Sequence, residues 1–179
     1  MKADDPKPLQ YISEAYKELG DEDKALEYNQ QYMDKNPNAA PTDFMKLAEI
    51  YVNKAKKDPA KKIENIDKAI GVYAKLSEKY PTLKTFAKLQ EGNTAFQNEL
   101  DDKAIAAYTE VINELEAKQC DEDELSYLKT SYQYMGFIYT YDKQDFNTAK
   151  PYWDKLLKLD PQNKLANDAY EKAGLKPGE

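Results

Sequence analysis

Residues 132–161 decide the architecture. They read Tyr132-Gln133-Tyr134-Met135-Gly136-Phe137-Ile138-Tyr139, a polar break at Asp142-Lys143-Gln144-Asp145, then Phe146, Ala149, Trp153 and Leu156-Leu157, closing on Leu159-Asp160-Pro161. Large apolar side chains recur every three or four positions on both sides of the break, the mark of two amphipathic helices. One small residue stands in each, Gly136 and Ala149, where two helix backbones have to touch. Small side chains let helix axes approach towards the short end of the ~8–10 Å range. The stretch therefore predicts a helix–turn–helix unit.

The same grammar recurs upstream. Ala25, Ala69 and Ala149 each stand 12 residues before a proline, Pro37, Pro81 and Pro161, and Ala104 opens a fourth such helix without one. Proline ends these helices because it lacks an N–H and disfavours helical geometry in the residue before it. Four repeats follow, at about 8–38, 41–82, 83–118 and 121–163, with a closing helix at 164–173, all in one domain over 1–179.

In the first repeat Leu9, Ile12, Ala15 and Tyr16 are expected to form the buried face of its first helix. Gly20-Asp21 breaks the chain before Ala25, Leu26, Tyr28, Tyr32 and Met33. In the second, Thr42 or Asp43 is expected to cap a helix carrying Phe44, Leu47, Ala48 and Tyr51. Ile63, Ile66, Ala69, Ile70, Tyr73 and Leu76 keep helical period after the lysine-rich link, so its helices are read as long. The third pairs Phe86, Leu89, Gly92, Ala95 and Phe96 with Ala104, Ile105, Tyr108, Val111, Ile112 and Leu115, across a turn and cap at Glu99-Leu100-Asp101-Asp102. In the fourth, Asp121 and Glu124 form a capping pair. Pro151 is tolerated only in a first turn, which places the start of its helix as late as Asn147 or Thr148. Trp153 is expected to pack on the closing helix near Leu165, Ala166 and Tyr170. Such a lone helix hides the last repeat's apolar side.

Composition excludes several kinds of chemistry. The chain has no histidine, which removes His-based acid–base catalysis, Ser-His-Asp and Cys-His nucleophile systems and His-ligated metals. Cys120 is the only cysteine, so no intrachain disulfide forms. It has no base beside it and is not read as a nucleophile. Net charge is -7 and all 26 basic residues are lysine, the opposite of a nucleic-acid footprint. No apolar run approaches the ~20 residues of a membrane span, and Met1-Lys2-Ala3-Asp4-Asp5-Pro6 has no signal-peptide core. Location is left open between the cytoplasm and, for a processed chain, the periplasm or cell envelope. Lysine-only basicity with abundant Asn and Tyr points to an AT-rich bacterial genome. Asp121-Glu122-Asp123-Glu124 lacks the glycine and spacing of a Ca²⁺ loop and reads as helix capping. No cofactor or metal is expected. The lysines at 54, 56, 57, 61 and 62 read as a solvated face rather than a docking site for an acidic partner. The tyrosines, 15 in all, read as core aromatics rather than carbohydrate platforms.

This pattern resembles the tetratricopeptide repeat family over nearly the whole chain. The fourth repeat gives Tyr132, Met135-Gly136, Tyr139, Phe146, Ala149, Trp153, Leu156 and Pro161. The second gives Phe44, Leu47-Ala48, Tyr51, Ala69, Tyr73, Leu76 and Pro81. The first gives Leu9, Ile12-Ser13, Tyr16, Gly20-Asp21, Ala25 and Pro37, and the third is weakest, with Gly92, Ala104 and Tyr108. The second-helix alanines step by 44, 35 and 45 residues against the family's ~34. That departure implies longer helices or loops in two places. The resemblance implies an all-α fold, an α-solenoid with a right-handed superhelix of about four irregular helix pairs and a C-terminal cap. An irregular solenoid of another kind, or a plain helical bundle, is the alternative.

The resemblance further implies a non-enzymatic scaffold that binds a protein or peptide in a concave groove lined by the first helices. Carried over position by position, the groove offers Glu49, Asn53, Asn93, Gln97, Gln133, Phe137 and Tyr141. Gln10, Glu14 and Lys17 stand at the same positions of the first repeat, and Met45, Val52, Phe86, Leu89, Phe96 and Thr140 flank the others. Amides suit a peptide backbone and rings its apolar side chains. Phe86, Leu89 and Phe137 read equally well as core between repeats. A chaperone-tail carboxylate clamp is disfavoured, since Gln10 and Glu14 stand where it needs a basic residue and an asparagine. The alternative to a binding module is a structural or spacer piece of a larger, possibly cell-envelope, repeat protein. An enzyme using carboxylates has no support beyond the number of Asp and Glu. Oligomeric state and the partner's identity are not legible.

Overall fold

The computed structural model describes residues 5–177. The two ends of the expected domain, residues 1–4 and 178–179, lie outside the described residues, and with them most of the stretch inspected for a leader. Among the described residues there are nine α-helices and no strand: α1 (Lys7–Glu18), α2 (Glu22–Lys35), α3 (Pro41–Lys57), α4 (Lys62–Lys79), α5 (Lys84–Gln97), α6 (Asp101–Glu116), α7 (Glu122–Phe137), α8 (Phe146–Leu159) and α9 (Lys164–Ala173). The fold is all-α. Among the described residues, no helix is long and apolar enough to cross a membrane. The backbone forms two compact units, Met1–Thr94 and Ala95–Glu179, and each is described by itself.

In the N-terminal unit α1 packs on α2, α2 on α3, and α3 on α4. The long alanine step between the first two repeats is met by helix length, since α3 has 17 residues and α4 has 18. Their core joins Phe44, Leu47 and Ala48 to Ala69, Val72, Tyr73 and Leu76, with Ala39 and Ala87 closing it. Ala48 and Ala69 are wholly buried, as expected of residues where backbones meet. Each fully buried Leu, Val or Phe contributes roughly 1.5–3 kcal/mol from its transfer out of water.

Local signals set the helix ends. Gly20 takes φ 75°, which a β-carbon disfavours, and turns the chain from α1 into α2. Asp21 then accepts from the Lys24 N–H at 3.1 Å. Asp43 does help to cap α3, but from inside it: Ala40 is the N-cap residue, and its N–H donates to Asp43 Oδ2 at 2.8 Å. α6 departs from expectation. Its N-cap is Leu100, with no side-chain capping bond, while Asp101 and Asp102 lie in the first turn, where the helix dipole favours them.

The first helix departs further. Its buried residue is Ser13, whose Oγ donates to Ala25 O at 2.7 Å. Ile12 is 37% exposed and Ala15 is exposed as well. Amphipathicity selects the apolar stripe, but α2 docks on the side where a small residue lets it come close. Ile63 likewise lies outside the core, at 59% exposure.

In the C-terminal unit α6 packs on α7, α7 on α8, and α9 on both α7 and α8. Asp121 and Glu124 form the expected capping box, each accepting from the other's N–H, at 2.8 and 3.2 Å. After Phe137 the helix widens into a π-helical turn at Ile138–Asp142, a form often found at functional sites. α8 begins at Phe146 under an Asp145 cap, so Pro151 lies inside it rather than in its first turn. Proline offers no N–H to the carbonyl of Asn147, a residue on the exposed side. Trp153 is fully buried and its indole lies against Gly136 of α7. α9 docks through Tyr170, whose ring meets Phe146 edge-on at 5.5 Å and whose hydroxyl donates to Asp154.

Candidate partner-binding faces

On the N-terminal unit, the first-helix positions of α1 and α3 are joined by a ladder. Gln10 Nε2 donates to Asp43 Oδ1 at 3.2 Å, Lys46 Nζ meets Glu14 Oε1 at 2.5 Å, and Lys17 Nζ meets Glu49 Oε2 at 2.9 Å. The polar residues of α1 therefore face those of α3 instead of standing alone. Asp43 is the hub. It is buried and also accepts from the Tyr32 hydroxyl at 2.9 Å. Burial and this carboxylate push the Tyr32 hydroxyl pKa up.

The ladder continues into the lysine cluster. Lys54 pairs with Asp23, and Lys57 reaches Glu22 at 2.5 Å and the Gly20 carbonyl at 2.6 Å. These two lysines hold the acidic start of α2 to the end of α3. They are structural, and the patch is less basic than its sequence suggests.

Between the ladder and α2 lies a cavity of about 260 Å³ lined by Ser13, Glu14, Lys17, Glu18, Asn29, Lys46 and Ile50. Asn29 is 3% exposed, and among the described residues its Oδ1 finds no donor. Asn29 was not among the expected site residues, yet a signal marks it. The residue four after each second-helix alanine is Asn29, Tyr73, Tyr108 and Trp153. Three repeats fill that place with a ring and one does not.

The expected groove residues divide between the units. Glu49 is exposed in its pair with Lys17, Asn53 is half-buried four residues on, and Asn93 is half-buried on α5. Leu89 is buried and Phe86 packs against the N-terminal core, so both serve as core.

In the C-terminal unit Gln97 is exposed at the end of α5, and Gln133 accepts from Asn163 Nδ2 at 3.3 Å. Phe137 and Tyr141 come together with ring centroids 4.8 Å apart. They belong to a continuous row. Tyr108 stacks on Tyr134 at 5.6 Å, Tyr134 meets Phe96 at 4.5 Å, and Phe96 meets Phe137 edge-on at 5.5 Å. Lys172 of α9 ends the row, its ammonium 4.6 Å from the centre of the Tyr141 ring. The row is buried at Tyr108 and half-buried at Phe96, Tyr134, Phe137 and Tyr141. Helix α7 supplies Tyr134 and Phe137, and the π turn carries Tyr141 onto the same side.

No acid–base constellation accompanies these faces. Burial, and then the neighbouring Asp101, raises the Asp142 carboxyl pKa, but Lys143 beside it pairs with Asp102 at 3.0 Å. Burial raises the Cys120 thiol, the opposite of an activated nucleophile. Among the described residues no cluster of side chains could hold a metal ion.

Comparison with known proteins identifies the first helix pair. The tetratricopeptide repeat model matches residues 9–39, a segment with most of α1, all of α2 and the Ser13–Ala25 contact. Residues 9–39 are a tetratricopeptide repeat. Solved structures share the fold over nearly the whole chain. MamA matches with a TM-score of 0.56 and 19% identity, covering 95% of this chain and 83% of that one. TTC0263, a thermophilic TPR protein of Thermus thermophilus, matches at 0.51 and 22%, covering 94% and 81%. The human IFIT1 dimer with PPP-AAAA matches at 0.60 and 17% over 92% of this chain, which spans only 36% of the IFIT1 chain. At these identities the likeness is one of fold. No curated protein matches the sequence. A repeat of this kind is a protein–protein interaction unit.

Proposed function

We propose that this chain is a non-catalytic scaffold that binds an extended or helical peptide segment of a partner protein on its first-helix faces. The N-terminal unit offers Glu49, Asn53 and Asn93. The C-terminal unit offers Gln97, Gln133, Phe137 and Tyr141. The observation that carries the reading is the row Phe96–Tyr134–Phe137–Tyr141, because half-buried rings beside amides and a lysine make a surface for apolar side chains and backbone together. Nucleic acid is left out of the proposal. A net charge of -7 without any arginine repels phosphates, and the PPP-AAAA of the IFIT1 structure is not carried over.

Peptide display selected against the purified chain tests this. The selected peptides are expected to lose most of their binding to Phe137→Ala and Tyr141→Ala. Selected peptides that bind both variants as well as the parent would show the face to be wrongly assigned.

A second reading, a spacer within a larger repeat assembly, draws on α1. Tyr11, Ile12 and Leu19 are 64%, 37% and 78% exposed, two on that helix and the third at its end. Under this reading α1 is covered by another protein domain, and Leu19→Glu should impair assembly while leaving peptide selection unchanged.

A further inference from the structure

We propose that the cavity at Asn29 receives one aromatic side chain carrying a hydrogen-bond donor, a tryptophan or tyrosine of the bound segment. The proposal rests on the reading that a peptide lies along the first-helix faces, and it names what one of those faces takes.

The internal repeats supply the first argument. Four residues after their alanines, the second, third and fourth repeats place Tyr73, Tyr108 and Trp153, at 8%, 0% and 0% exposure. All three rings are buried, and Trp153 lies directly against the small Gly136. The first repeat has the same small pair, Ser13 and Ala25, in direct contact. It has Asn29 in place of the ring, and the cavity lies there.

Size and chemistry supply the second. About 260 Å³ is several times the ~30 Å³ share of one water, and a cavity of ~150 Å³ already holds benzene. It falls below the ~300–1,000 Å³ of sites for drug-sized ligands. One indole or phenol ring fits that interval. Ile50 gives the cavity an apolar wall, and Asn29 Oδ1 contributes a buried acceptor without a donor among the described residues. Leaving such an acceptor unpaired is costly, and a ring N–H or O–H supplies what it lacks.

Charge at the mouth argues against an ionic guest. Glu14 and Glu18 are set against Lys17 and Lys46, with Glu14 already held by Lys46 and Lys17 by Glu49. The formal charges of the lining cancel, so neither a guanidinium nor a carboxylate is drawn in. Lysines at the rim suit a ring, as where Lys24 lies over Tyr16 and Lys155 over Tyr132.

The test uses the whole chain, ¹⁵N-labelled, titrated with indole and in parallel with toluene, a ring without a donor. Saturable shifts are expected at the Asn29 side-chain amide and at the Ser13 and Ile50 backbone amides, with indole binding about fivefold more tightly. Asn29→Leu should erase indole's advantage over toluene, and Asn29→Tyr, which supplies the ring from within, should abolish the shifts for both. No saturable shift in the parent chain means the cavity holds only water and overturns the proposal. Toluene binding as tightly as indole, or indole's advantage surviving Asn29→Leu, overturns the donor. Titration of the parent alone is decisive even if a variant fails to fold. Peptide binding through Phe137 and Tyr141 is read separately, so either idea can fail alone.

Discussion

A β-carbon on Gly136 would lie 2.5 Å from Trp153 Cε2 and 2.6 Å from Cδ2. The indole is therefore seated on backbone, and the glycine and tryptophan form one packing unit. Trp153 Nε1 donates to Thr140 Oγ1 at 2.9 Å, so the π turn after α7 is held by the same side chain that the glycine admits.

Gly136→Ala should destabilise the chain. Overpacking costs ~1–3 kcal/mol, while replacing a mid-helix glycine returns up to ~1 kcal/mol. The net expectation is a loss of about 1–2 kcal/mol. Gly71, inside α4 with nothing within 4 Å of its would-be β-carbon, is the control, and Gly71→Ala should gain up to ~1 kcal/mol. Urea unfolding of the two variants should move the midpoint in opposite directions. A shared direction would show that the indole shifts aside freely.

Trp153 is the sole tryptophan and is fully buried, so its emission should be blue-shifted and insensitive to acrylamide. Thr140→Val keeps the volume but leaves the indole N–H without its acceptor, and should cost about 1–3 kcal/mol. Unchanged stability would mean that water reaches the indole nitrogen.

How much of this was legible depended on the kind of contact. Gly136, Ala149, Ala48 and Ser13 could be found because close approach demands small residues at fixed intervals. The Asp121–Glu124 cap was readable because it is local. The exposure of Ile12 and Ala15, on the apolar stripe of α1, was not. Leu9, Ile12 and Tyr16 advertise one stripe, and the docking of Ala25 on Ser13 selects another. Nor were the bonds from Gln10, Glu14 and Lys17 to Asp43, Lys46 and Glu49 readable, since partners more than 30 residues apart leave no periodic trace. Among the site residues, Phe137 and Tyr141 stand four apart, a spacing that already puts two side chains on one helix face, and their rings do meet. Asn29 was readable in the alignment on alanines, as the one repeat without a ring.

Acid and base should unfold the C-terminal unit through its tyrosine–carboxylate pairs. At Glu116, burial raises the pKa, but hydrogen bonds from Lys155 and Tyr132 outweigh it and leave the carboxyl lowered. At Asp154, burial is likewise outweighed by Tyr170 and Lys150. A carboxyl lowered in the folded state stabilises above its unfolded pKa, about 4, and that contribution is lost as pH falls through the lower folded value. Stability should hold near neutrality, decline below about pH 5 and fall further towards pH 3. Tyr170→Phe should make the decline shallower, as read from urea midpoints across pH. At the other extreme, burial and then the carboxylate partners raise the Tyr132 and Tyr170 hydroxyls, and burial raises Tyr108. Raised phenols stabilise below their unfolded pKa of about 10, and the contribution is lost as pH climbs towards the folded values. Their absorbance at 295 nm should therefore appear together with unfolding. Early titration of all the tyrosines in the folded chain would contradict this.

Asp43 should be the most sensitive carboxylate of the N-terminal unit. It is 5% exposed and accepts from Gln10 of α1, Tyr32 of α2 and the Ala40 N–H at the start of α3. One side chain thus ties three helices. Asp43→Ala removes every acceptor and leaves the proton of the Tyr32 hydroxyl, which still accepts from Asn36 Nδ2, without one, so a loss of about 2–4 kcal/mol is expected. Asp43→Asn keeps one acceptor and should cost less. Tyr32→Phe removes the bond to Asp43 and the one the hydroxyl accepts from Asn36 Nδ2, and should cost about 1–3 kcal/mol. A double-mutant cycle on Asp43 and Tyr32 isolates their coupling, expected at roughly 0.5–3 kcal/mol. Additive effects would show that the capping of α3, and not the link to α2, is what Asp43 provides.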